Sequence, residues 1–384
     1  MIIARDIENF VKYCANKFPV LLITGPRQSG KTTLAKKLFL NSTYITLEDP
    51  DTLSIALRDP RGLLNSLGNG PIILDEVQNC PMLFSYIQGI VDSKKENCQF
   101  ILTGSQNFLM LEKVSQSLAG RAAIITLLPF SFNEIARYKS EYKNIDQVIH
   151  AGGYPPIYDK KIEPAVWLRS YIMTYLERDV RKILNISDIA KFQAFMRMCA
   201  ARIGQLVNFS SIATEIGVRY QTIQSWLSIL EASYVVYLHK PYFKHFNKRL
   251  IKQPKLYFYD TAIACVLLGI KEHSQIFDHY MRGSLFENFI IMELIKNRLN
   301  KGEDNNLYFW RDSHGHEIDV IIEESDKLIA LEVKSSETFN QNLLKGLKYW
   351  KKLTEHTNAH LVYQGNKSFT FEGYNIVNWK ECNL

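Results

Sequence analysis

The segment from Gly25 to Thr32 has the residue types and spacing of a phosphate-binding loop. It reads Gly-Pro-Arg-Gln-Ser-Gly-Lys-Thr and follows the apolar run Val20–Thr24. In the G-x-x-x-x-G-K-[ST] pattern, backbone N–H groups surround the phosphates and the next helix points its N-terminus at them. We expect Lys31 to reach the β and γ phosphates and Thr32 to bind Mg²⁺. The sequence therefore predicts a nucleoside triphosphate site with these contact residues: Gly25, Pro26, Arg27, Gln28, Ser29, Gly30, Lys31, Thr32 and Thr33.

A second apolar run begins at Pro71 and ends in two consecutive acids, Asp75 and Glu76. In P-loop ATPases an acid at this place holds Mg²⁺ through water, which we expect of Asp75. The next acid, Glu76, is expected to polarise the attacking water. A glycine-rich turn with a lysine can arise by chance, but both motifs together favour ATP and Mg²⁺ as cofactors.

Two further side chains are candidates for sensing or stabilising the γ-phosphate. Ser105 follows the apolar run Gln99–Thr103, where a strand beside the loop strand would place a sensor. Its alternative role is to cap the helix that follows. Arg121 precedes the run Ala122–Leu128 and could stabilise transition-state charge in its own chain or in a neighbouring subunit. Its alternative role is a structural salt bridge.

The last part of the chain carries a different set of acids. Glu332 and Lys334 lie two residues apart on a predicted strand, so they emerge on one face, and a hairpin through residues 324–327 brings Asp319 beside them. Glu287, on the preceding helix, adds another carboxylate. Such acids could bind Mg²⁺ or Mn²⁺, and Lys334 could orient a water or neutralise a phosphate. This predicts a phosphodiester hydrolysis site, whose alternative is a plain Glu332–Lys334 salt bridge on an edge strand.

The order of elements predicts the fold class. Strands and helices alternate from Val20 to Leu128, which indicates an α/β domain with a parallel sheet covered by helices on both faces. Turn residues at 129–134 and 152–156 predict a boundary near residue 150. The first domain is thus expected at 1–150. Its ten predicted segments begin with a strand, the phosphate-binding loop and a helix, after which strands and helices alternate.

Residues 151–260 are predicted to form a helical linker and a winged helix. The charged stretch Ala165–Leu184, with Glu177, Arg178, Asp179 and Arg181, is expected to transmit the nucleotide state. Helices at 192–203, 210–216 and 219–231 precede two strands, Tyr234–Leu238 and Lys255–Tyr259, with a basic loop between them. Arg219, Tyr220, Gln221 and Gln224 could face a DNA major groove. The alternative is a protein–protein module.

Residues 261–384 follow the order helix, three-strand meander, helix, strand. This is the core order of the restriction-endonuclease-like α/β fold, and its acids fall at the positions described above.

Composition narrows the remaining choices. The 384 residues are 46% hydrophobic and carry a net charge of +7, with basic clusters at 169–182 and 239–255 that suit a DNA partner or form a solvated face. The chain shows neither a long uncharged apolar run nor a secretory leader pattern, so we expect a cytoplasmic protein without a membrane partner. Its six scattered cysteines suggest reduced thiols.

Taken together, the chain resembles a bacterial and archaeal family of AAA-type ATPases that join an ATPase core, a winged helix and a nuclease-like (PD-(D/E)XK) C-terminal domain of unknown function. The segments that carry the resemblance are Gly25–Thr32, Ile72–Gln78, Leu102–Ser105, Leu118–Arg121, Gly152–Pro155, Tyr175–Asp179, Tyr257–Thr261, Leu285–Glu287, Glu317–Asp319 and Glu332–Lys334. The resemblance implies ATP binding and says little about biological role.

Three hypotheses stay open at this point. The first is a Mg²⁺-dependent ATPase that drives a DNA-binding, metal-dependent nuclease region. The second is a nucleotide-driven switch whose nuclease-like region binds a partner protein or nucleic acid without cutting it. The third is a DNA-binding transcriptional regulator. The sequence leaves open whether the chain forms a homo-oligomer, and with it whether Arg121 acts across a subunit interface.

Overall fold

The phosphate-binding loop belongs to a parallel sheet with helices on both faces. The computed structural model describes residues 3–68, 70–105, 117–138, 142, 144–176, 188–243, 252–324, 327–354 and 358–382. Within these ranges the strands of the sheet are β1 (Val20–Thr24), β2 (Thr43–Thr46), β3 (Ile72–Asp75), β4 (Phe100–Thr103) and β5 (Ala122–Thr126). Their order in the sheet is β2-β3-β4-β1-β5, and every pairing is parallel. The predicted parallel α/β sheet is confirmed.

Alternate side chains of these strands enter two separate cores. Leu22, Leu74 and Leu102 pack on one face, while Leu21, Ile73 and Ile101 pack on the other. Helices α1 (Glu8–Ala15) and α2 (Lys31–Leu38) cover the second face, and α3 (Pro50–Arg58), α4 (Pro60–Ser66) and α5 (Leu83–Lys94) cover the first. Burial on both faces explains why the strands read as continuous apolar runs.

Helices α3 and α4 follow one another with a single residue, Asp59, between them. The side chain of Asp59 accepts a hydrogen bond from Gly62 N at 2.8 Å and so caps α4, whose first residue is Pro60. Because a proline lacks the N–H that a continuing helix needs, α3 ends before it. Asp49 caps α3 in the same way through Thr52 N.

Short helices follow the first sheet and connect it to the middle of the chain. They are α6 (Phe132–Tyr138), α7 (Ile145–Ala151), α8 (Pro155–Asp159) and α9 (Pro164–Tyr171), the last continued by a π-helical turn, Ile172–Leu176. The predicted charged segment with Glu177, Arg178, Asp179 and Arg181 lies outside the described residues. Val148, Ile149 and Tyr154 belong to the same hydrophobic core as Phe258 and Ala262. One core therefore spans both predicted domain boundaries, which stay predictions.

The middle region next contains helices α10 (Ile189–Ala200), α11 (Phe209–Ile216) and α12 (Tyr220–Ala232), in the predicted order. Gly217 ends α11 with a left-handed φ of 70°, as expected of a helix C-terminus. Strands β6 (Val236–His239) and β7 (Lys255–Phe258) then pair antiparallel, with His239 opposite Lys255. We call this pair the ribbon. Most of the predicted basic loop between its strands, residues 244–251, lies outside the described residues.

The last part of the chain forms a mixed sheet. Its described strands are β8 (Leu307–Arg311), β9 (Glu317–Glu324), β10 (Lys327–Lys334), β11 (Ala359–Tyr363), β12 (Phe369–Phe371) and β13 (Tyr374–Asn378), in the order β12-β13-β11-β10-β9-β8. Helices α13 (Thr261–Leu267), α14 (Ser274–Phe277) and α15 (Arg282–Lys301) precede the sheet, and α16 (Lys345–Thr354) connects β10 to the parallel β11. Strands β12 and β13 were not predicted. No described helix is long and apolar enough to cross a membrane.

Candidate functional site: a nucleotide cleft and a carboxylate–lysine cluster

The turn after β1 has the backbone geometry that its glycines predict. Gly25 has a φ of +142°, and a Cβ placed there would lie 2.2 Å from the carbonyl oxygen of Leu127. Gly30 has a φ of +96° and is followed at once by α2. Both conformations are costly for any side-chain-bearing residue. The N-terminus of α2 therefore faces the same space as the loop.

Lys31 closes the loop on itself. Its Nζ donates hydrogen bonds to the carbonyl oxygens of Gly25, at 3.0 Å, and Pro26, at 2.8 Å. Burial lowers the pKa of Lys31 to about 8, although the carboxylates of Glu76 and Asp75 act in the opposite direction. Contact with a phosphate would require the ammonium to exchange these two carbonyls for phosphate oxygens.

The two predicted Mg²⁺ ligands meet directly at the edge of the sheet. Thr32 Oγ1 donates to Asp75 Oδ1 at 2.9 Å. Asp75 also accepts hydrogen bonds from Tyr44, at 2.9 Å, and from Thr103. A threonine hydroxyl beside an aspartate carboxylate is the donor set with which P-loop proteins hold Mg²⁺, so these residues fit the ion. Tyr44 was missed by the sequence reasoning, although its place on β2 beside β3 put it next to Asp75.

Glu76 lies beside Asp75 in a strained backbone conformation, with a φ of +57°. Its carboxylate accepts hydrogen bonds from Ser105 Oγ, at 3.2 Å, and from the amide of Gln78. Burial raises the pKa of Glu76 above its ordinary value. Ser105 thus lies at the predicted place, and the helix that it would cap in the alternative role lies outside the described residues. Gln78 was not predicted.

A cleft of about 420 Å³ opens above these groups. Predicted residues that line it are Arg27, Gln28, Gly30, Lys31, Thr32, Thr33, Asp75 and Glu76. Ile3, Phe130, Pro155 and Pro156 form an apolar wall, and Lys37 and Lys160 add positive charge. The cleft is of a size that takes a small organic ligand.

Arg5 lines the cleft and supports the phosphate loop, and the sequence reasoning missed it as well. It donates to the carbonyl oxygens of Ser29, at 2.9 Å, and Leu128, at 2.7 Å. Its Nε lies 3.0 Å from Glu134 Oε1 in a buried ion pair. Removal of one partner of such a pair would leave a buried charge, so the pair holds Arg5 in place. Through its hydrogen bond to Ser29, Arg5 in turn fixes the loop to the rest of the domain.

Arg121 does not lie at the nucleotide cleft of its own chain. It precedes the first residue of β5, and because β5 runs parallel to β1, Arg121 lies at the opposite edge of the sheet from Gly25. Five strand residues separate the two edges, about 16 Å. Its guanidinium binds Asp92 through Nε at 2.6 Å and Nη2 at 2.9 Å. This is the salt-bridge alternative, and a role in the same chain's cleft is wrong. Action in a neighbouring subunit stays a prediction.

The predicted acids and lysine of the C-terminal sheet come together. Lys334 Nζ lies 3.3 Å from Asp319 Oδ2 and 2.6 Å from Glu332 Oε2. Val333 N also donates to Asp319 Oδ2, at 2.8 Å. Although burial raises the pKa of Asp319, the ammonium groups of Lys334 and Lys255 outweigh it and hold that pKa below its usual value. Burial and the Asp319 carboxylate raise the pKa of Glu332 well above its usual value. Strand β10 pairs on both sides, so the alternative of an edge strand is wrong.

Glu287 has different partners, which come from the ribbon. Lys255 Nζ lies 3.2 Å from Glu287 Oε1 and also pairs with Glu317, and the Tyr257 hydroxyl donates to Glu287 Oε1. The sequence reasoning placed Lys255 at the start of a predicted strand and in a basic cluster, and it selected neither Lys255 nor Tyr257 nor Glu317 as a site residue. Alternation along a strand puts Lys255 and Tyr257 on one face, which was the available signal.

The predicted Mg²⁺ or Mn²⁺ site on Glu287, Asp319 and Glu332 does not fit this arrangement. Two lysine ammonium groups already bind these carboxylates. Within the described part of the chain, no three His, Cys, Asp or Glu side chains are grouped so that they could hold a metal ion. We refer to Lys255, Glu287, Glu317, Asp319, Glu332 and Lys334 as the carboxylate–lysine cluster.

The predicted DNA-facing side chains of the middle region lie on the surface. Arg219, Tyr220, Gln221 and Gln224 are all exposed at the start of α12. Trp226 and Leu227 point into the core instead. The exposed face is thus available to a partner, which stays a prediction.

Three family matches divide the chain. Residues 17–136 match the AAA domain family, and residues 142–274 and 282–382 each match a domain of unknown function (DUF8612 and DUF4143). With the loop and acid geometry above, the N-terminal part of the chain is an AAA-type P-loop ATPase domain that binds nucleotide.

Curated relatives extend over most of the chain. An uncharacterised protein of Mycobacterium tuberculosis is 29% identical over 87% of this chain and 74% of its own length. One of Methanocaldococcus jannaschii is 23% identical over 87% of each. Among solved structures, a Walker-type ATPase of Pyrococcus abyssi covers 69% of this chain and 96% of its own, at 16% identity and a TM-score of 0.48. The AMPPCP-bound DnaA of Aquifex aeolicus covers 59% of this chain and 85% of its own, at 16% identity and a TM-score of 0.31.

Proposed function

We propose that this protein hydrolyses ATP with Mg²⁺ and uses the cycle to change the contacts between its nucleotide cleft and the rest of the chain. The observation that carries the proposal is the direct contact of Thr32 with Asp75, 2.9 Å, beneath the phosphate loop and beside Glu76. P-loop ATPases use these groups to hold Mg²⁺ and to orient the attacking water. When bound, Mg²⁺ supplies neutralising charge to the β and γ phosphate oxygens.

The remaining roles follow from the hydrogen bonds of the cleft. Glu76 is the general base, and its raised pKa makes it a better proton acceptor than an exposed glutamate. Ser105 and Gln78 hold its carboxylate toward the cleft. Lys31 leaves the loop carbonyls to bind phosphate, because an ammonium gains more from a phosphate oxygen than from a neutral carbonyl.

Two tyrosines of the middle region support the transmission of nucleotide state. The Tyr171 hydroxyl donates to the carbonyl oxygen of Arg27, at 3.4 Å, and the Tyr234 hydroxyl lies 3.4 Å from Thr24 Oγ1. Arg27 is inside the phosphate loop and Thr24 directly precedes it. Tyr171 leads into a π-helical turn, a feature that is frequent at functional sites. Tyr234 leads into the ribbon.

Phosphate release tests the ATPase proposal. We expect Lys31→Ala to lose ATP binding, and Glu76→Gln to bind ATP but hydrolyse it at least about a hundredfold more slowly. Lys17→Ala, an exposed lysine of the same domain, is the matched control and should behave as wild type. Wild-type hydrolysis by the Glu76→Gln protein would contradict the proposal.

For the rest of the chain we propose a helical linker and winged helix over residues 151–260 and a restriction-endonuclease-like domain over 261–384 that together bind a partner. The order of elements and the exposed face of α12 support this reading. Because lysines bind the carboxylates of the cluster, a switch that binds DNA or protein without cutting is favoured over a metal-dependent nuclease.

Incubation with Mg-ATP, with and without Mn²⁺, and labelled branched, single-stranded and duplex DNA separates these two functions. Retention of intact DNA, weakened by Arg219→Ala or Gln221→Ala, would support the switch. Cleavage that disappears in the Asp319→Ala and Glu332→Ala proteins would establish the nuclease instead. Binding restricted to one duplex sequence would favour the third hypothesis, a transcriptional regulator.

A further inference from the structure

The ribbon inserts a positive charge into the carboxylate–lysine cluster. The Lys255 side chain is 2% exposed, and its Nζ contacts both Glu287 and Glu317. The ring of Phe309 lies 5.5 Å from the same ammonium and closes the site on its apolar side. A lysine is almost never buried to this extent unless it is paired. Lys255 is therefore held as tightly as a bound ion would be.

The other strand of the ribbon is fastened at the same place. His239, directly opposite Lys255, lies with Nε2 3.3 Å from the carbonyl oxygen of Asp319. Burial, followed by the charge of Lys255, lowers the pKa of His239 to about 3, so the ring is neutral and donates this hydrogen bond. Tyr257, two residues beyond Lys255, binds Glu287. Both strands are thus fixed at the cluster, β7 through the Glu287 carboxylate and β6 through the Asp319 backbone.

A divalent cation among these carboxylates would meet a fixed ammonium at contact distance. A metal ion on the oxygen atoms of Glu287 or Glu317 that Lys255 contacts would lie close to the ammonium, and like charges this close repel strongly inside a protein. We propose that Lys255 is the resident cation of the cluster and that the seated ribbon excludes a divalent metal from it. This deepens the C-terminal part of the proposed function, on which it rests, and is independent of ATP hydrolysis.

Mn²⁺ binding by the full-length chain tests the proposal. The measurement is the electron paramagnetic resonance signal of free Mn²⁺, without nucleotide, in an Asp75→Asn background so that an ion at the phosphate loop is not counted. We expect the background protein to bind no Mn²⁺ at the cluster. Lys255→Met, which keeps the side-chain length and removes the charge, should bind at least about a hundredfold more tightly. Added Glu287→Gln should abolish that binding.

Lys252→Met is the matched control, since Lys252 is an exposed lysine shortly before the same strand, and it should gain no Mn²⁺. Two outcomes would overturn the proposal: Mn²⁺ bound by the background protein and lost with Glu287→Gln, or a folded Lys255→Met protein that gains none. A second measurement, acetylation of lysine amines detected by mass spectrometry, is made on the protein that keeps Lys255. Lys255 should stay protected when Mn²⁺ is added, and its exposure by Mn²⁺ would equally overturn the proposal.

Discussion

Replacement of Gly25 by alanine should weaken ATP binding through a collision that can be read from the structure. A Cβ at this position would lie 2.2 Å from the Leu127 carbonyl oxygen, and the φ of +142° is one that L residues rarely adopt. Backbone strain of this kind costs about 1–3 kcal/mol. The contact is with backbone, so it is relieved only if the loop moves away from the end of β5. If ATP binding has to return the loop to its wild-type position, this strain is subtracted from the free energy of binding, and affinity falls by roughly 5- to 150-fold.

The assay is titration with a fluorescent ATP analogue, with circular dichroism to show that the chain is folded. Gly120→Ala is the matched control: Gly120 also has a positive φ, +73°, but a Cβ there meets nothing within 4 Å. It should cost about 1 kcal/mol of stability at most and leave ATP affinity unchanged. Wild-type affinity in a folded Gly25→Ala protein would refute the reasoning that this close approach fixes the loop.

Three further predictions concern the cleft and its connections. Tyr44→Phe removes one donor to Asp75, and we expect a loss of about 1 kcal/mol in Mg²⁺-dependent ATP affinity, with Mg²⁺-free affinity unchanged, by calorimetry. Because the folded pKa of Lys31 is lowered to about 8, the unfolded chain binds more protons between that pH and 10.5, so stability should rise with pH in this window and wild-type ATP affinity should fall. Lys31→Met should remove the contribution of this residue to the stability slope in denaturation assays. Tyr234→Phe should leave ATP binding near wild type but reduce any nucleotide-dependent change in the protection of the ribbon, measured by hydrogen exchange; an unchanged response would contradict the role given to this contact.

Local patterns were sufficient for much of the fold. Apolar runs ending in small or acidic residues placed β1, β3 and β4, because strands buried on both faces need continuous apolar sequence. Strand β12 escaped because three residues are too few to show a period of two, whereas β13, whose burial alternates along the strand, was overlooked. Arg121 could have been assigned from the sequence, because in a parallel sheet a residue that precedes a strand lies at the opposite edge from a loop that follows one.

Consecutive residues were enough to predict the nucleotide site, because a phosphate loop is one short segment and its two acids lie at the end of another strand of the same parallel sheet. The surroundings of the distant C-terminal acids depend instead on how the chain folds. Lys255 precedes Glu317 by dozens of residues and belongs to another region, so no spacing rule connects the two. Their pairing follows from the packing of the ribbon against the sheet, and a buried ammonium can be balanced only by carboxylates that the fold brings to it.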